Sequence, residues 1–253
     1  MLFRSTATIT ATSQADEVKT QSSTLTTTAI QAGPLVDPAS DAGSGNPGTQ
    51  VVYTLLLTNH NYVPDTFTLS VETVWGMEFP LTVGPIPANG STNVQIAVNV
   101  PADAEGGATD TALVTFTSSI PTLPTATATL VTSANNIYSF QAVPEVDTLT
   151  GYGKGTTVEY TVLVTNTGNI ADTYNIYSSS AWTVDVQAHV GPIARAQSVS
   201  VTVLVHVPFD IAMGDSNTAT ISFISQGNST GHQVHLVTNT SWYSNFLPLS
   251  QRQ

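Results

Sequence analysis

The feature that most constrains this chain is a repeat: residues 49–118 recur without a gap 107 residues further on. Val51, Tyr53, Thr54, Leu56, Thr58 and Asn59 meet Val158, Tyr160, Thr161, Leu163, Thr165 and Asn166. Asp65-Thr66 meets Asp172-Thr173, Trp75 meets Trp182, and Val83-Gly84-Pro85-Ile86 meets Val190-Gly191-Pro192-Ile193. A unit of this length is a domain, so one fold is expected twice. A third, partial copy opens the chain, where Thr6-Ala7-Thr8-Ile9-Thr10 and Ser13-Gln14 reproduce Thr218-Ala219-Thr220-Ile221-Ser222 and Ser225-Gln226. Leu25 falls where Leu130 closes the first full copy, so residues 1–28 read as the last quarter of a module.

Apolar residues alternate with polar ones and no helical period appears, which predicts strands throughout. Val51, Tyr53, Leu55 and Leu57 share one face, as do Val94, Ile96, Val98 and Val100, and Val201, Val203, Val205 and Val207. Thr6 to Thr12 and Thr20 to Thr28 predict two half-buried strands of a hairpin. Its apolar face is thin, because Gln21 and Ser23 stand where the first copy has Ala126 and Ala128. A lone ribbon of this kind is marginal in water.

Pro34-Leu35-Val36-Asp37 and Pro144-Glu145-Val146-Asp147 predict edge strands, because proline cannot donate to a ladder. The segments after them, Pro38 to Gly48 and Thr148 to Gly155, are rich in Gly, Ser and Asn and predict surface turns. Trp75 and Trp182 are each expected to begin a strand and to plug the space between two sheets. Together these elements predict an all-β chain: two tandem seven-stranded immunoglobulin-like sandwiches preceded by a partial-repeat β-hairpin. The expected boundaries are 1–28 for the hairpin, 29–134 and 135–240 for the sandwiches, and 241–253 for an apolar C-terminal tail.

Charge narrows the function classes. Five Lys and Arg stand against seventeen Asp and Glu, a formal net charge of −12. Nucleic acid needs clustered phosphate-neutralising cations, and the sequence has none, so no nucleic-acid partner is expected. No run approaches the roughly 18 apolar residues of a membrane helix, so no membrane insertion is expected. The sequence has no cysteine, and disulfides therefore say nothing about its compartment. Met1-Leu2-Phe3-Arg4 lacks the features of a signal peptide, and a processed form or a fragment is expected.

Tyr160-Thr161-Val162-Leu163-Val164-Thr165-Asn166-Thr167-Gly168-Asn169, then Asp172-Thr173-Tyr174, Trp182, Gly191-Pro192-Ile193, the Val201 to Pro208 strand and Gly214-Asp215 carry a family likeness. This pattern resembles the Ig-fold repeats of secreted bacterial and archaeal proteins, the CARDB-like and NPCBM-associated modules. The resemblance spans both full copies and the hairpin, and the first copy departs from it at His60-Asn61-Tyr62. It implies an extracellular or cell-surface location, and roles as stalks, adhesive elements, assembly units or appendages of glycoside hydrolases.

Enzymatic chemistry needs convergent acids, bases or nucleophiles, and the repeat presents no such set, so no catalysis and no cofactor are expected. Asp65 and Asp172 are expected to close their own loops as Asx-type turns rather than to bind calcium. Asp37, Asp41 and Asn46 make an oxygen cluster in the first long loop, but without a bidentate acid at a fixed spacing no metal is expected there. His232 and His235, three apart on a strand, point to opposite faces and cannot share a metal. Asn89, Asn228 and Asn239 begin glycosylation sequons, at the frequency chance supplies in a chain rich in Ser and Thr.

The candidate assembly residues lie at the two ends: Ala7, Ile9, Ala11 and Leu25 in the hairpin, and Trp242, Tyr243, Phe246, Leu247 and Leu249 in the tail. Short apolar extended segments add to sheet edges. The expected function is an extracellular structural subunit of a filament or surface assembly, joined to itself head to tail by β-strand complementation. The alternatives are a stalk or adhesive fragment of a larger cell-surface protein and a carbohydrate-binding module. The expected partner is the chain itself as a homopolymer, with cell-surface or glycan contacts beside it. Tyr62, Tyr152 and Tyr177 are the exposed aromatics a sugar platform would use.

Overall fold

The computed structural model describes residues 3–29, 33–212 and 214–241. Every long element among them is a strand, and none of the described residues forms a helix able to cross a membrane. A two-stranded antiparallel sheet comes first, from β1 (Phe3–Thr12) and β2 (Thr20–Ala29). The chain divides into two compact units, one of residues up to 102 with 109–134 and one of residues 103–108 with those from 135 onward.

The first unit contains β3 (Pro34–Asp37), β4 (Ser40–Gly45), β5 (Gln50–Asn59), β6 (Asp65–Glu72), β7 (Met77–Glu78), β8 (Thr82–Ile86), β9 (Ser91–Asn99), β10 (Thr109–Ser118) and β11 (Ala126–Ala134). They form a four-stranded sheet, β3-β5-β9-β7, and a five-stranded one, β4-β11-β10-β6-β8. The second unit repeats this with β12 (Phe140–Pro144), β13 (Thr148–Tyr152), β14 (Thr157–Asn166), β15 (Asp172–Ser179), β16 (Val184–Val186), β17 (His189–Ile193), β18 (Ser198–His206), β19 (Ser216–Ser225) and β20 (Gly231–Ser241). Its sheets run β12-β14-β18-β16 and β13-β20-β19-β15-β17. Each unit is an immunoglobulin-like sandwich whose alternating residues meet between the sheets.

Two strands in each unit exceed the expected seven. The segments expected as turns after the first strand form β4 and β13, which cross to the other sheet and pair in parallel with β11 and β20. Their composition misleads because small residues are needed to lie this close to the opposite sheet. A Cβ on Gly45 would come within 2.8 Å of Val51, and one on Gly151 within 2.8 Å of Val207. The other additions are the edge strands β8 and β17, which carry the repeated Val-Gly-Pro-Ile motif.

Buried side chains fill both sandwiches: Leu55, Leu57, Phe67, Ile96, Phe116 and Leu130 in the first, and Tyr160, Tyr174, Val203, Ile221, Phe223 and Leu236 in the second. The tryptophans are not the plugs. Trp75 and Trp182 are only partly buried, packed against the margin of each core just before β7 and β16. Phe67 and Phe116 fill the first centre instead, and Tyr160, Tyr174 and Phe223 the second.

Candidate assembly site

The two modules first establish what a complete C-terminal strand pair looks like. Ala112 faces Leu130 across β10 and β11, with Val114 on Ala128 and Phe116 on Ala126. Ala219 faces Leu236 across β19 and β20, with Ile221 on Val234 and Phe223 on His232. All of the β10 and β19 members of these pairs are buried. The hairpin keeps the same register, with Ala7 on Leu25, Ile9 on Ser23 and Ala11 on Gln21. Sequence likeness and strand pairing therefore agree rung by rung.

Burial does not agree. Ile9 is 58% and Leu25 53% exposed, whereas Ile221, Leu130 and Leu236 are 0%. Ala7 and Ala11 are exposed too, so the strands expected to be half-buried present both faces to solvent. The opposite face carries hydroxyl pairs, Thr6 with Thr26, Thr8 with Thr24, Thr10 with Ser22 and Thr12 with Thr20. Thr10 and Ser22 share a hydrogen bond of 2.9 Å. The structure thus gathers Ala7, Ile9, Ala11 and Leu25 on one uncovered face. Trp242, Tyr243, Phe246, Leu247 and Leu249 lie outside the described residues.

The turn after β1 is also that of a module. Ser13 Oγ accepts from the Ala15 and Asp16 amides at 3.2 and 3.3 Å. Ser118 Oγ accepts from Ile120 N at 3.0 Å, and Ser225 Oγ from Gly227 N at 3.1 Å. In the modules the serine proton goes to a buried carboxylate: Ser118 donates to Asp65, and Ser225 to Asp172. Asp65 also accepts from Asn61 Nδ2 at 2.8 Å and Ser119 Oγ at 2.7 Å. Neither aspartate makes an Asx turn, although Asp65 ties down the loop before β6 through Asn61. They bridge the start of β6 or β15 to the end of β10 or β19.

Burial pushes the Asp65 carboxyl up, but hydrogen bonds from Ser118, Ser119 and the backbone outweigh it and hold the group below the ordinary carboxylate range. In the second unit burial, helped by the charge of Asp172, pushes the Tyr174 phenol up to about 12. Two further bridges were not anticipated from sequence. Asn59 donates to Ile86 O at 2.9 Å and Asn166 to Ile193 O at 2.8 Å. Tyr53 and Tyr160 tie one sheet to the other through Val131 O at 2.9 Å and Val237 O at 2.7 Å. The signal available was a polar residue recurring at inward positions of both copies.

The remaining candidates are scattered. Asp37 and Asp41 lie on β3 and β4, in different sheets, and Asp41 Oδ1 accepts from the Ala42 amide at 2.8 Å. Asn46 follows β4, and no group of three or more metal-binding acids, histidines or cysteines occurs among the described residues. Asn89 is exposed in a turn at φ 56°. Asn228 is exposed between β19 and β20, its amide donating to Tyr138 O at 3.0 Å, and Asn239 pairs with Ser216 inside the sheet. His232 and His235 are both exposed on β20. Tyr62, Tyr152 and Tyr177 are exposed as expected.

No protein-family model matches the sequence, and no curated protein does. Several solved structures are similar to parts of this chain. A Porphyromonas gingivalis W83 protein of unknown function is 12% identical over 82% of this chain and 99% of its own, with a TM-score of 0.33. Domains 4 and 5 of the S-layer protein SbsC are 19% identical over 57% of this chain and 69% of theirs, with a TM-score of 0.30. The extracellular cadherin domains 1–4 of protocadherin gamma B7 are 12% identical over 90% of this chain and 56% of theirs, with a TM-score of 0.45. At these identities and TM-scores no residue role carries over to this chain.

Proposed function

We propose that this protein is an extracellular structural subunit that joins to copies of itself head to tail, strands of one copy completing the hairpin of the next. The observation that carries the reading is the hairpin: it has the sequence and register of a module's last strand pair, yet leaves Ile9 and Leu25 exposed where their counterparts are fully buried. Ordering about 25 residues costs roughly 1–2 kcal/mol each. Four small or medium apolar side chains return only about 25 cal/mol per Å² buried, which does not offset that cost. A sheet supplied from a second copy closes the gap. No catalytic role, metal or cofactor belongs to this reading.

Deleting residues 1–28 tests it. Both sandwiches are expected to fold with cooperative melting while polymers vanish from electron micrographs. If the truncated protein still builds the same filament, the linkage lies elsewhere. If the intact protein shows only isolated two-domain rods, the chain is a stalk or adhesive piece.

A further inference from the structure

The hairpin has two open edges, and the modules show what belongs on each. The outer edge of β11 takes β4 in parallel, and the outer edge of β10 takes β6 antiparallel. The β4 strand reads Ser-Asp-Ala-Gly-Ser-Gly and sits too close to the opposite sheet for large side chains. The C-terminal segment 242–253 has no glycine and five large apolar residues, so it does not suit that edge. The β6 edge is different. It takes Asp65-Thr66-Phe67 in one module and Asp172-Thr173-Tyr174 in the other: a hydrogen-bond acceptor, then an aromatic ring two residues on.

We infer that residues 244–250 of a second copy add antiparallel along the open edge of β1, with Phe246 opposite Ser13 and Pro248 opposite Ala11. The inference rests on the complementation reading and names its donor. Ser118 faces Phe67 and Phe116 faces Leu69 in the module, which fixes these counterparts. Ser244 then takes the place of Asp65, as the acceptor for the Ser13 hydroxyl proton that no carboxylate receives among the described residues.

Proline fixes the parity of the register, and the Ser244 counterpart of Asp65 fixes its position. Leu69 N–H points away from β10 and donates to Leu81 O at 3.0 Å. Pro248 at that position therefore costs no bond to β1, as proline in an edge strand requires. A shift by one residue would turn the missing N–H toward β1 and Phe246 away from the apolar face. Ala11 replaces the Phe116 and Phe223 of the modules, leaving room for the bulk the donor brings. Residues 242–253 contain Arg252 and no acid, so the segment approaches a copy of charge −12 without added repulsion. Three strands with one apolar face are also the least that stand alone.

The absence of cysteine in the sequence gives a clean test. Ala11→Cys and Pro248→Cys are placed in differently tagged full-length chains, mixed and oxidised. Opposite residues in a non-hydrogen-bonded pair have Cα atoms about 4.5 Å apart, within disulfide reach. A mixed disulfide is expected, at least about tenfold above Ala11→Cys with Leu247→Cys or Leu249→Cys, whose side chains face away. Phe246→Ala is expected to raise the critical concentration for assembly by at least about tenfold, and Tyr243→Ala by less than about twofold.

Filaments that form without this disulfide, or after removal of residues 242–253, overturn the inference and leave the complementation reading standing. Disulfides that link only chains carrying the same substitution overturn it as well. Neither filament nor mixed disulfide overturns both.

Discussion

Tyr174 shows how far two copies of one sequence can diverge at a single atom. Its counterpart is Phe67, and both rings are fully inaccessible. The Tyr174 hydroxyl is buried with no hydrogen-bond partner among the described residues. A buried hydroxyl left unbonded costs about 1–3 kcal/mol, so Tyr174→Phe is expected to be neutral or stabilising by about 1 kcal/mol in urea melts. The same residue sets a basic limit. Its folded pKa is raised to about 12, so the native state keeps a proton the unfolded chain releases near pH 10. Stability is then lost as pH rises between about 10 and 12, and Tyr174→Phe should lessen that slope, the remainder resting on Tyr160, whose phenol burial also pushes up; an unchanged slope places it on other groups. Asp65 sets the acid limit with the opposite sign. Its depressed pKa gives stability that is present above the unfolded value of about 3.9 and lost as pH falls through the folded value. Ser118→Ala is expected to cost about 1–3 kcal/mol at neutral pH and to move acid unfolding of the first unit to higher pH, read by amide exchange at Leu55 and Leu57.

At the scale of elements, what was legible depended on whether a strand shows its alternation. From Val94 and Val201 onward, β9 and β18 bury every second residue, and those faces follow from the sequence alone. β4 and β13 hide, because a strand that crosses between sheets needs glycine where alternation would otherwise appear. The tryptophans misled for another reason. A large ring is apolar wherever it lies, and only the path of β7 and β16 puts it at the margin of the core. The hairpin's strands and register were readable, but its exposure was not, because burial depends on neighbours that sequence alone does not locate. The repeated Gly-Pro motif has a physical origin in the irregular pairing of β17 with β15. Gly191 has φ +122°, and a Cβ there would lie 2.8 Å from the Asp172 carbonyl oxygen. Gly191→Ala is therefore expected to destabilise the second unit by about 2 kcal/mol or more, with the first unit's melting unchanged by calorimetry.

At the scale of the whole molecule, charge and joint make opposite demands. A chain with five cationic and seventeen acidic side chains repels its copies, while the proposed joint is apolar and carries no ion pair. Repulsion between exposed charges reaches about 30 Å at 0.01 M salt and about 8 Å at 0.15 M, whereas strand pairing and apolar burial are little affected by such salt. Raising the salt concentration over that range is therefore expected to lower the critical concentration for assembly. Lowering the pH toward the isoelectric point near 4.4 should act in the same direction, because the Asp65 bridge is lost only at lower pH. An assembly held by surface ion pairs would instead weaken as salt rises. Light scattering of the intact protein across this series separates the two. A critical concentration that climbs with salt would place the joint on the few cationic side chains and not on the hairpin's apolar face.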